Sequence, residues 1–131
     1  MTSRRSLEGK VALVTGAGQG IGKVTAISMA RAGAHVGIND ISDDRLEEVK
    51  SIILEQSDNV LSAWADVSDS EQVSGMVKDT IDVYGRLDII INNVGVGLIH
   101  GGGIELPVDE FKRLIDINLK SQYLMSYFAE P

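Results

Sequence analysis

The sequence predicts an α/β protein, a doubly wound parallel sheet with helices on both faces, on three observations. Short β-branched runs alternate with longer segments of helical period. The runs "VALVT" and "LDIII" are apolar enough to be covered on both sides. The first of them ends in the glycine-rich turn "TGAGQGIG", which leads into a helical segment. Alternation at this spacing calls for right-handed crossovers between parallel strands. Strands buried on both faces read as continuous apolar runs, as these do.

In chain order, residues 1–6 read as a mobile tail and residues 7–131 as one domain, near the common size for a single core. Strands are expected at 11–15, 35–39, 60–65 and 87–91, with crossover helices at 21–32, 42–56 and 69–84. In the second helix Leu46, Val49, Ile52 and Ile53 recur at helical spacing, and in the third Val73, Met76, Val77, Thr80 and Ile81 do so. A fourth helix, 108–128, carries Phe111, Leu114, Ile115 and Leu119 on one side. "SDSE" at 68–71 has capping-box spacing, with Ser68 as cap and Glu71 reaching back. Asp43, Asp44, Asp109 and Glu110 place negative charge at two helix starts, and Gly33 and Gly85 sit just past helix ends. The most loop-like stretch is 92–107, with glycines at 101–103.

A net charge of −7 argues against a nucleic-acid partner, which needs a basic surface. The chain has no cysteine, so disulfides and thiolate metal sites are excluded and a reducing cytoplasm fits. No apolar run approaches the ~20 residues of a membrane span, and no segment reads as a signal peptide.

The glycine turn carries the chemistry. A strand that enters such a turn and leaves as a helix presents free N–H groups to a phosphate. Gly16 permits the bend, Gly20 a close approach and Gly22 tight packing of helix on strand. The alternative is a plain strand–helix connector. Asp40 falls 18 residues after Gly22, at the end of the next strand. That is close to the ~20-residue offset of a carboxylate that holds the adenosine ribose. It would repel a 2′-phosphate, and no arginine or lysine stands in the turn or in "INDIS" to neutralise one, so NAD is favoured over NADP. Asp40 could instead simply open the turn into the next helix.

The spelling "TGAGQGIG", with "DV" at 66–67, "NNVG" at 92–95 and "DINL" at 116–119, resembles the short-chain dehydrogenase/reductase family from Leu7 onward. The resemblance implies a Rossmann-type fold, a nicotinamide cofactor and hydride transfer between an alcohol and a carbonyl. It implies that Gly16, Gln19, Gly20, Ile21 and Gly22 border the pyrophosphate and that Asp40 with Ile41 holds the adenosine ribose. Asp66 with Val67 would meet the adenine, unless Asp66 merely precedes a helix cap. Of Asn92 and Asn93, one would brace the sheet and one border the nicotinamide ribose, beside Gly95. Val94 stands where the family has alanine. Asn118 matches an asparagine that interrupts the helix and anchors a water in a catalytic proton relay; the competing reading is a paired interior asparagine without chemistry.

The family's Tyr-x-x-x-Lys and serine are not found: Tyr84 is followed four positions on by Asp88, Tyr123 by Tyr127, and Tyr127 by Pro131. The chain therefore reads as the cofactor-binding half, truncated after the fourth strand and fourth helix. It is expected to bind NAD weakly, to lack turnover alone, and to be homo-oligomeric because an apolar edge strand and a fourth helix without a sheet partner are left exposed. A non-catalytic NAD-binding module or a self-associating structural fragment are the alternatives. His100 and His35 read as surface, and Tyr123 with Tyr127 as packing residues.

Overall fold

A computed structural model describes residues 5–97 and 105–130. The strand β1 (Val11–Val14) is buried along its whole length, because Leu13 and Val14 face opposite helical layers. It is followed by α1 (Gly20–Arg31), β2 (His35–Asp40), α2 (Asp43–Leu54), β3 (Val60–Trp64), α3 (Ser70–Tyr84) and β4 (Ile89–Ile91). All strands are parallel, in the order β3-β2-β1-β4. The order reverses beside β1, so that the chain leaves the middle of the sheet in both directions.

One layer joins Val14, Val36 and Ile38 to Ala26 and Ala30 of α1 and to Leu46, Val49 and Ile53 of α2. Gly22, Ala26 and Ala30 recur every fourth residue on the buried side of α1, and their small size lets that helix lie close on the strands. The other layer joins Leu13 and Ala63 to Val73, Met76 and Val77 of α3.

The fourth helical segment is not one continuous helix over 108–128 but is interrupted around Asn118, as the family resemblance implies. It comprises α4 (Val108–Ile115), one π-helical turn (Asp116–Lys120) and α5 (Ser121–Ala129). Its inner side is covered: Leu124 and Met125 of α5 are buried in the layer that contains Leu13 and Val73, where α5 packs on α3. Only its other side is open, with Phe111, Leu119, Tyr123 and Tyr127 all more than half exposed. Among the described residues β4 pairs with β1 alone, and it is half-buried.

Two smaller expectations are also corrected. The cap of α3 is Asp69, which accepts from the Gln72 N–H at 3.0 Å; Ser68 turns its N–H and hydroxyl to Asp66 instead. His35 is half-buried, with its ring edge-on to Tyr84 at 5.0 Å. Residues 1–4 of the expected tail, His100 and the glycines 101–103 lie outside the described residues. The Arg5 backbone carbonyl accepts from the Glu8 N–H at 3.2 Å. No described helix is long and apolar enough to cross a membrane.

Candidate functional site

A cleft of about 420 Å³ opens at the carboxyl ends of the strands, where an open parallel sheet whose order reverses leaves a crevice. Each strand sends its following loop into the wall. Gly16 and Gln19 come from the turn after β1, Gly20 and Ile21 from the start of α1, and Asp40, Ile41 and Arg45 from the end of β2 and the start of α2. Asp66 and Val67 follow β3, and Asn93, Val94, Gly95 and Val96 follow β4. Gly22, Asn92 and Asn118 are not in the wall; Asn92 is exposed.

The glycine turn is built by close approach. Gly16 has φ +61°, a left-handed bend that side chains rarely adopt. Gly22 sits directly behind it: a Cβ there would lie 2.3 Å from the Gly16 carbonyl oxygen and 2.4 Å from Asn93 Nδ2. Asn93 donates from that nitrogen to the Gly16 carbonyl at 3.1 Å, tying the loop after β4 to the turn after β1. Thr15 reinforces the junction, its hydroxyl donating to Ile91 O at 3.3 Å and accepting from Asn93 N–H at 3.0 Å.

α1 begins without help. Its cap residue, Gln19, makes no side-chain cap and the first turn carries no acid, whereas α2 and α3 are capped by Ser42 and Asp69 and carry acids in their first turns. The first-turn amides and the positive end of α1 therefore remain available to an anion.

Asp40 is a junction of three elements. Its carboxylate is 7% exposed and accepts from Gly18 N–H at 3.1 Å and Ser42 N–H at 3.0 Å. Arg45 Nε stands 3.4 Å from Oδ1, the oxygen that also accepts from Ser42. The absence of a cation from "INDIS" thus does not leave the carboxylate without one, because the first turn of α2 supplies Arg45. Gly18 is a second residue that sequence spacing passed over: a Cβ there would lie 2.5 Å from Asp40 Oδ2.

Other support comes from residues that spacing did not single out. Asn39 is fully buried and donates to Ala63 O and Ala65 O at 2.9 and 3.1 Å, joining the ends of β2 and β3. The only signal for it was an amide within an apolar run. Trp64 donates from its indole to Ile41 O at 2.9 Å, bracing that wall. Asp66 receives both Ser68 donors on one oxygen, and its own N–H donates to Gln72 Oε1 at 2.8 Å.

Asn118 lies on the π turn and clasps one residue of the loop after β4. It accepts from Val96 N–H at 2.8 Å and donates to Val96 O at 2.9 Å. Its own carbonyl accepts from Gln122 Nε2 at 3.0 Å. A π turn adds a residue to one helical turn and often marks a functional position; here it accompanies an amide that holds the cleft wall.

A titration shift lies at the opposite end of the sheet. The Arg86 guanidinium and the Val11 N–H beside Asp88 hold its carboxyl below the ordinary carboxylate range.

The family model described as short chain dehydrogenase matches residues 10–131. The chain belongs to the short-chain dehydrogenase family. An uncharacterized oxidoreductase of Thermotoga maritima is 38% identical to this short-chain dehydrogenase chain over 125 residues, 95% of the chain and 48% of that protein. The 3-ketoacyl-(acyl-carrier-protein) reductase from Brucella melitensis, complexed with NADH, superposes with a TM-score of 0.86 at 37% identity, over 93% of this chain and 49% of that one. A metagenomic short-chain oxidoreductase in complex with NADP superposes with a TM-score of 0.89 at 32% identity, over 94% and 56%. The doubly wound sheet is thus the Rossmann-type fold of this family, and the chain spans about half the length of the curated relatives it matches.

Proposed function

We propose that the chain forms the nucleotide-binding part of an NAD-dependent oxidoreductase acting on a small alcohol or carbonyl compound. The observation that carries this reading is the convergence of two features on one cleft. One is the uncapped, acid-free start of α1; the other is the Asp40 carboxylate at the end of the neighbouring strand. The cleft volume of about 420 Å³ is in the range of small-molecule sites. A Cβ at Gly20 would meet nothing within 4 Å, so the backbone is open to a ligand there.

In this reading the amides of Gln19, Gly20 and Ile21 hold a diphosphate, with Gly16 shaping the bend and Gly22 supporting it from behind. Asp40, beside Ile41, accepts from the adenosine ribose hydroxyls, and its negative charge favours NAD over NADP. Asp66 and Val67 border the adenine. Asn93 and Gly95 lie toward the nicotinamide side, and Asn92 stands outside the wall. The nicotinamide, when bound, supplies the hydride acceptor or donor. Asn118 acts as a positioning residue: its amide fixes Val96, and through it the wall that orients the reacting ring. The reading also makes the protein a homo-oligomer, with Phe111, Leu119 and Tyr123 covered by a second copy; a monomer in sedimentation equilibrium refutes that part.

Ile21→Glu tests the site. Ile21 is 80% exposed in the first turn of α1, so the new carboxylate costs the fold nothing and suits the helix start. It also faces the proposed diphosphate. NADH affinity, measured by titration calorimetry, should fall about tenfold or more while the melting temperature holds. Unchanged affinity overturns the proposal.

A further inference from the structure

Among the described residues that line the cleft, Arg45 is the one cation. It is about a third exposed, while its partner Asp40 is sunk to 7%. Both Asp40 oxygens are already engaged by the chain itself, one by Gly18 N–H and the other by Ser42 N–H. Arg45 is therefore not needed to satisfy that carboxylate. Its Nε–Oδ1 separation of 3.4 Å is a loose charge contact rather than a tight hydrogen bond. What Arg45 changes is the charge that a ligand meets at this corner.

We propose that Arg45 is a specificity-determining residue, which sets how strongly the cleft discriminates against a phosphate on the adenosine 2′-hydroxyl. This rests on the nucleotide reading above. A lone carboxylate beside the ribose repels a phosphate carrying nearly two negative charges. A carboxylate with a guanidinium beside it presents no net charge, and the guanidinium offers a fork of donors that matches phosphate oxygens. Asp40 and Arg45 thus act with opposite sign on the same substituent. The corner admits the phosphorylated cofactor as the weaker ligand instead of excluding it.

The test compares ADP-ribose with 2′-phospho-ADP-ribose, which probe the adenosine corner without the nicotinamide. Both are titrated into wild type, Arg45→Gln and Arg45→Lys. Arg45→Gln should weaken the phosphorylated ligand about tenfold more than it weakens ADP-ribose. Arg45→Lys, which keeps the charge but loses the fork of donors, should give a ratio between those of wild type and Arg45→Gln. Added salt should shrink the difference between wild type and Arg45→Gln, because the charge of the partly exposed Arg45 is screened. If Arg45→Gln weakens both ligands equally, Arg45 is only a structural prop and the proposal is overturned. If wild type binds neither ligand, the nucleotide reading itself fails, which is a separate and recognisable result.

Discussion

Replacing Gly22 with alanine puts a methyl carbon 2.3 Å from the Gly16 carbonyl oxygen, 2.4 Å from Asn93 Nδ2 and 2.9 Å from the Gly16 carbonyl carbon. Two of those atoms are backbone and cannot swing aside, so the strain belongs at the top of the usual overpacking range, about 3 kcal/mol. Forcing Asn93 away from the Gly16 carbonyl loses a hydrogen bond of 3.1 Å, worth about 1 kcal/mol net. Against this, alanine in a helix gains roughly 1 kcal/mol over glycine. The expected outcome is a net loss of about 3 kcal/mol. It is read as a lower urea midpoint at unchanged slope, together with loss of NADH binding. Gly75→Ala is the internal control: Gly75 is within α3 and a Cβ there meets nothing within 4 Å. The same substitution should stabilise the protein there, by about 0.5–1 kcal/mol. If Gly22→Ala were also stabilising, α1 would not be seated on the turn as described.

Asn118→Ala should destabilise by about 2 kcal/mol, since it removes two hydrogen bonds to Val96 and orphans a half-buried N–H and C=O; fast hydrogen exchange at the Val96 amide should accompany it, and an unchanged exchange rate would show the clasp to be idle. Asp88→Asn tests the far end of the sheet. Because the folded-state carboxyl of Asp88 is held below its ordinary value, its stabilisation is full above the unfolded value of about 3.9 and fades as pH falls through the folded one. The melting gap between wild type and Asp88→Asn should therefore hold from about pH 7 to 5 and narrow below about 4. A gap that is unchanged at about pH 2 contradicts the assigned pairing.

The sheet and its helices were legible because period and burial leave marks on neighbouring residues: the apolar run at 11–14 and the four-residue recurrence in α3 each state their own structure. What was not legible depends on contacts between distant parts of the chain. Three residues in a row, Ser68, Asp69 and Ser70, can cap a helix, and the choice falls on Asp69 because Ser68 is drawn back to Asp66. The apolar spacing of 108–128 describes one helix, and only the motif resemblance marked the interruption at Asn118; the reach of its amide to Val96 across the fold left no mark in the sequence. Arg45 was passed over for a related reason. It belongs to the next helix in sequence, and only the turn between β2 and α2 folds it back beside Asp40. Gly18 gave no signal beyond being one more glycine, and its importance lies wholly in how near Asp40 comes.

The most direct measurement is the map of backbone amide shifts when NADH is titrated into isotope-labelled protein. Perturbations that begin at Gly18, Gly20 and Ile21, reach Ile41 and Val67, and spare the Arg86–Asp88 end of the sheet are the predicted result. Shifts confined to other surfaces, or an undisturbed start of α1, would contradict the assignment of the cleft.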